Sequence, residues 1–308
     1  MKIKHERIIK VILGIIILLI LFKKVGFEEA FQTFLSIKLI YVPLVILVWL
    51  LIFLIGTFNI RLLLNSLQQR LSFSTLFRYY VTSWSLGLLT PGKLGEFSLI
   101  YFLKKEGVPA GEGAATLVID KLITFFSLGV LATIGVFVFF GRNGGLKSAT
   151  ILLLIVIISI CLISSEKIRG MIRKYILRKK IIQLNGFSKT FQLYIKKRKN
   201  ILFVNFIITT IKWIISAIAT YLIFLSFNFK ILHFWFLVLI DAVVTIFALI
   251  PITINGLGIK ESGAVLLFEH IGITGTITAN VYILGTILTY FIAALLFFTF
   301  KVQKNKRK

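Results

Sequence analysis

Seven apolar runs dominate the chain, at residues 11–22, 41–60, 114–140, 148–163, 201–229, 232–250 and 276–300. Most approach or exceed the ~20 residues a helix needs to cross a bilayer. Hydrophobic residues make up 58% of the 308, against roughly 45–50% apolar in soluble domains. In lipid every backbone polar group must be satisfied internally, so such runs fold as helices. An all-α polytopic membrane protein follows, a single integral membrane domain over 1–308. The first run is short and crosses only if Lys10 snorkels. The "FKKVGFEEA" that follows it offers no small-x-small cleavage site, so this run reads as an anchor and not a signal peptide.

Charge orients the helices. The net charge is +25, and twelve basic residues fall within 164–200, with further clusters at both ends ("MKIKHER", "KVQKNKRK"). This is the positive-inside pattern, which places both termini and a basic loop at 164–200 in the cytoplasm, with attraction to anionic lipid. No nucleic-acid recognition motif accompanies the charge, so nucleic acid is not an expected partner. Cys161 stands alone and excludes an internal disulfide framework. His5, His233 and His270 lack ligand spacing, so neither a metal nor a cofactor is expected.

With those three regions fixed inside, the segment between Arg78 and Lys104 must start and end on the same side. Its first half, 79–89, spans ~17 Å at 1.5 Å per residue, against a hydrocarbon core of ~30 Å. A re-entrant hairpin follows, with "TPGKLGE" at its tip. The segment 232–270 starts and ends on the opposite side, and "PITINGLGIKES" breaks it midway, after an arm long enough to cross fully. The spans 114–140 and 148–163 leave and return through an outer "GRNGGLK". Laying Glu96 on Glu261 without gaps brings "EFSLIYFLKKEGVP" over "ESGAVLLFEHIGIT", matching Gly107 with Gly272 and Val108 with Ile273. About six spanning helices and two broken re-entrant hairpins in inverted-repeat arrangement are expected, the pattern that points to a midplane site in transporters.

Irregular backbone at membrane depth is tolerated only where protein or a water-filled cavity satisfies it. Thr90 is the expected N-cap of a half-helix beginning at Pro91 and running to Leu103, and Asn255 the N-cap of the helix carrying Lys260 and Glu261. Such helix starts attract anions, and Gly92, Gly95, Gly256 and Gly258 permit close backbone approach. Lys93 and Lys260 add full charges. Charged Glu96 and Glu261 cost ~2.5–3.5 kcal/mol each at mid-bilayer, so each is expected to be paired or protonated. In one reading Glu96 forms a local i,i+3 ion pair with Lys93. In the other the carboxylates hold a cationic part of a substrate or carry a coupling proton. Asp120 and Lys121 in "LVIDKLITFF" and Asp241 in "LVLIDAVVTIF" are expected to face a cavity. Arg61 and Lys212 read as snorkelling residues with structural roles. No P-loop, GxSxG or HExxH motif is present, so no enzymatic activity is expected.

On "TPGKLGE", "VIDKLITFF" and "LPITINGLGIKESGAVLLF" read from Leu249, the chain resembles the flippase-like integral membrane family that includes the transmembrane region of lysylphosphatidylglycerol synthases. The resemblance covers nearly the whole chain. The family often carries Arg shortly after the first Glu, where this chain has Leu99 and Ile100, and Glu-Arg where this chain has Asp120-Lys121. Synthases of the family append a soluble aminoacyl-transfer domain, whereas this chain ends eight residues after its last run, so lipid aminoacylation is not expected from it alone. The resemblance and the two tips together lead to the expectation of a multi-pass protein of a prokaryotic cell (inner) membrane. It would bind an anionic lipid or polyprenyl-phosphate headgroup and move it between leaflets. The alternative is a non-transporting scaffold or regulator whose basic loop recruits an envelope lipid or cell-wall enzyme. A membrane-embedded transferase has no nucleophile and base pair to support it. Membrane lipids are the expected partners, and the oligomeric state is open.

Overall fold

The computed structural model describes residues 2–164, 186–231, 233–250 and 252–300. Eleven α-helices are found among them: α1 Lys2–Val25, α2 Phe27–Leu35, α3 Tyr41–Ser66, α4 Phe73–Leu88, α5 Ser98–Lys105, α6 Ala110–Ser164, α7 Phe187–Lys197, α8 Lys199–Ser226, α9 Phe234–Leu249, α10 Ile259–His270 and α11 Gly275–Thr299. Two short 3-10 segments interrupt the series, a first break at Pro91–Phe97 and a second at Ile254–Gly256. Four helices are long and apolar enough to cross a membrane, at Tyr41–Ser66, Ala110–Ile155, Lys199–Ser226 and Gly275–Thr299.

The 55-residue α6 is two antiparallel arms. Gly141, at φ 72° and ψ −174°, reverses the chain in one residue. The arms then close on each other: a Cβ at Gly129 would collide with Leu152, and one at Gly145 with Phe137. Residues 114–140 and 148–163 therefore do leave and return, but the expected "GRNGGLK" loop is helical on either side of Gly141.

The order of elements repeats, and so do the chain ends. α3 and α8 both stop at a serine whose hydroxyl donates back to a carbonyl, Ser66 to Leu63 O at 2.7 Å and Ser226 to Ile223 O at 2.6 Å. Both then turn through a left-handed residue, Gln68 at φ 64° and Asn228 at φ 58°. α4 and α9 follow at 16 residues each, about 24 Å and so short of a ~30 Å hydrocarbon core. The second arm, expected to cross fully, is thus as short as the first. After each break, α5 and α10 end on the same left-handed glycine cap. Gly107 at φ 90° is followed by Val108 N–H donating to Leu103 O at 3.2 Å, and Gly272 at φ 82° by Ile273 N–H donating to Phe268 O at 2.9 Å.

The repeat is inverted because its equivalent helices pack antiparallel. Asn59 Nδ2 of α3 donates to Thr209 Oγ1 of α8 at 2.9 Å, Asn205 Nδ2 donates to Asn59 O at 3.3 Å, and at the other end Val45 packs with Ala217, Ile223 and Phe224. α1, α2 and α7 lie outside the scheme. α1 packs on the second break, α10 and α11, with Lys24 paired to Glu269 at 3.1 Å. α7 docks through Phe191 and Tyr194, and the Tyr194 hydroxyl donates to Leu63 O and meets Thr116 Oγ1, each at 3.0 Å. Burial pushes this hydroxyl up to about 12, so it remains a donor at neutral pH. Of the expected basic loop at 164–200, residues 165–185 lie outside the described residues, as does the tail at 301–308.

Candidate functional site

The first break is built by tight turns and close packing on α4. Gly92 and Lys93 both sit in left-handed conformation, at φ 59° and 57°. Thr90 stitches the turn, its hydroxyl donating to Gly87 O at 2.9 Å and accepting from Gly95 N–H at 2.6 Å. The α-helix itself starts only at Ser98, not at the expected Pro91, because a positive φ at two successive residues cannot extend a right-handed helix. A Cβ at Gly95 would collide with Leu86 O of α4. The close approach that Gly95 permits is therefore by the chain's own backbone. Gly87, which the sequence reading passed over, makes room for Glu96: a Cβ there would lie 2.6 Å from Glu96 Cγ.

Glu96 forms its ion pair with Lys121 of α6. The expected local pair with Lys93 is not made; α6 delivers Lys121 from 25 residues away instead. Asp120 Oδ2 lies 3.8 Å from the same ammonium. Glu96, Asp120 and Lys121 line a small cavity of about 20 Å³ together with Tyr80, Ser83 and Trp84. Lys93 makes no ion pair within 4 Å among the described residues.

The second break is closed. Asn255, expected as the N-cap, is a left-handed residue of the turn at φ 51°. Gly258, at φ 82°, takes the cap position. Glu261, fully buried, reaches back to accept from Gly258 N–H at 2.7 Å, and its other oxygen accepts from Thr286 Oγ1 at 2.7 Å. Lys260 donates to Thr286 Oγ1 at 2.6 Å and lies 3.6 Å from Glu261 Oε1. Protein again fills the space at the glycines. A Cβ at Gly256 would collide with Ala248 of α9, and one at Gly258 would lie 2.7 Å from Gly14 O of α1. Asp241 accepts from the Tyr282 hydroxyl, one turn before Thr286 on α11.

The two breaks pack against each other, and Lys93 lies near enough to Lys260 to be repelled by it. The site residues thus form one region with two unlike halves. Lys212, read as a snorkelling residue, belongs to this region. It is buried near the middle of α8, within electrostatic range of Asp120, Lys121, Glu96 and Lys93, and its ammonium lies 5.5 Å from the centre of the Trp213 ring. The signal was its position, about 20 Å from either end of the helix, too far for its stem to reach water. Arg61 lies nearer the end of α3, its guanidinium 5.8 Å from the Phe73 ring. No cluster of three or more metal-ligating side chains is found among the described residues.

A family model described as the lysylphosphatidylglycerol synthase TM region matches residues 7–296. The chain is also similar to a UPF0104 membrane protein of Methanothermobacter thermautotrophicus, at 22% identity over 93% of this chain and 92% of the relative.

Proposed function

Because the chain belongs to the lysylphosphatidylglycerol synthase TM-region family, a family of multi-pass membrane proteins whose name points to lipid, we propose that it binds an anionic lipid or polyprenyl-phosphate headgroup at the meeting of the two breaks and moves it across the bilayer. The observation that supports this reading is Lys93, an ammonium with no carboxylate within 4 Å among the described residues, held by strained backbone at that meeting point. A phosphate without partners in hydrocarbon costs many kcal/mol. A cation at a break in the membrane, on the same turn as the Glu96 that lines a small cavity, is the device that offsets such a cost. The basic clusters orient the protein with both termini and the 164–200 loop inside a prokaryotic cell membrane. With no nucleotide-binding motif in the chain, movement is passive or coupled to an ion gradient. The scaffold reading would place function in the basic loop and leave Lys93 without a role.

Reconstitution tests this. In phosphatidylcholine vesicles containing labelled phosphatidylglycerol, a membrane-impermeant quencher should extinguish nearly all the label with protein present and about half without it, since half faces the lumen. Persistence of the lumenal half in the presence of folded protein sinks the transport reading.

A further inference from the structure

Away from the breaks, α3, α4 and α8 leave an open groove of about 390 Å³ between them, walled by Leu54, Ile55, Phe58, Phe73 and Ile208. Every one of these side chains is apolar, and Leu54 and Phe58 are exposed. On α3, Leu54, Phe58 and Arg61 stand at i, i+4 and i+7 and so form one stripe, about 10 Å long at 1.5 Å per residue. The stripe ends in charge. Gly56 and Ile60 face the other way, Gly56 to Tyr80 and Ile60 to the small cavity beside Glu96. Arg61 is not spent on the fold. Its Nε is buried without a hydrogen-bond partner, and no carboxylate lies within 4 Å of the guanidinium, among the described residues. The guanidinium lies 5.8 Å from the centre of the Phe73 ring, a cation–π contact that holds the charge beside the first residue of α4, itself a wall of the groove. A buried donor left unmet is costly, and a guanidinium matches phosphate oxygens with two parallel hydrogen bonds.

We infer that this groove binds one anionic phospholipid, with the phosphate on Arg61 and an acyl chain laid along Leu54, Phe58 and Ile208. Arg61 lies about 8 Å short of the end of α3, so the headgroup sits at that end of the bundle, in the cytoplasmic leaflet on the orientation proposed above. A lipid joins the two chemistries that the groove presents, a charged acceptor and a hydrocarbon chain, in one molecule. An anionic headgroup supplies a full counter-charge to Arg61. A zwitterionic one brings its own ammonium, for which the apolar walls offer no acceptor. The lipid held here is distinct from the one proposed at the breaks, and nothing in this site requires that it move between leaflets.

Photo-crosslinking of the full-length protein in phosphatidylcholine vesicles tests this, with phosphatidylglycerol and phosphatidylcholine probes that carry the same diazirine acyl chain and with labelled residues mapped by mass spectrometry. At Leu54, Phe58 and Ile208 the ratio of phosphatidylglycerol label to phosphatidylcholine label should exceed that at Ile157, an exposed residue on the second arm of α6, by about tenfold, the scale of one hydrogen bond to a charged group. Arg61→Gln should bring the groove within about threefold of Ile157, and Arg61→Lys, which keeps the charge without the fork, should fall between. Should Arg61→Gln not fold, Ile208→Trp decides: filling the groove from α8, it should reduce labelling of Leu54 and Phe58 by the phosphatidylglycerol probe about tenfold and leave Ile157 unchanged. An equal ratio at the groove and at Ile157 would overturn the inference, as would a preference that survives Arg61→Gln or undiminished groove labelling in Ile208→Trp. So would a groove that neither probe labels, the result expected if a second copy of the chain covers it. Lipid movement is not read in any arm, so failure of the transport reading leaves this inference standing, and the reverse also holds.

Discussion

The two breaks share a backbone plan and differ in what their charges do. Both follow a 16-residue helix, and both lead into a helix closed by the same left-handed glycine cap. In the second, the carboxylate is spent on the fold: Glu261 caps α10, Thr286 bridges it to Lys260, and α1 covers the turn. In the first, Glu96 is tied to a lysine on another helix, a cavity opens beside it, and Lys93 is left over. Duplicated geometry thus leaves one copy closed on itself and the other with an ammonium unpaired among the described residues, the difference on which the proposed ligand site rests.

Substitution of the two glutamates should separate these roles most strongly. Glu261→Ala removes a fully buried carboxylate beside the partly buried Lys260 ammonium and strips a helix cap, and should cost ~3–5 kcal/mol. Glu96→Ala leaves Lys121 with Asp120 still beside it and should cost less, about 1–3 kcal/mol. Thermal unfolding of both variants in one detergent measures the difference, and equal losses would break the asymmetry. Next comes Lys93→Gln. Removing an unpaired charge should leave the unfolding temperature unchanged or higher, while lipid movement in vesicles falls about 10- to 100-fold, as for the loss of a hydrogen bond to a charged group. A variant that moves lipid at the natural rate would deprive the first break of its assigned role. The smallest effect is expected where the copies agree. Gly107 and Gly272 have open space where a Cβ would stand, so Ala at either meets only the left-handed backbone cost, about 1–2 kcal/mol. The two losses should match, and unequal ones would show that the caps are equivalent in geometry alone.

The sequence already carried the breaks, their inversion and the Glu96–Glu261 register, because glycine, proline and charge interrupting apolar runs are local signals. The Gly107–Gly272 match was legible for the same reason, since each position needs a left-handed residue to end a helix. Partners across the fold were not. Lys93 is the nearer residue to Glu96 in sequence, yet the strained turn carries it away and α6 supplies Lys121. Asn255 has the chemistry of an N-cap, but the cap falls three residues later, where only a glycine fits under α1. Lys212 was misplaced by treating it as close to a helix end. The unpartnered Nε of Arg61 left no trace in the sequence, because satisfaction of a hydrogen bond is a property of the packed molecule.

The covering of the second break by α1 bears on how the protein is made. Gly14 packs against Leu257, and Lys24 pairs with Glu269, so α1 leaves the ribosome 245 residues ahead of that partner. At about 5–20 residues per second the wait is on the order of tens of seconds. During biogenesis α1 has only its neighbour α2 to pack on, and its contacts to the second break close once α10 and α11 have been made.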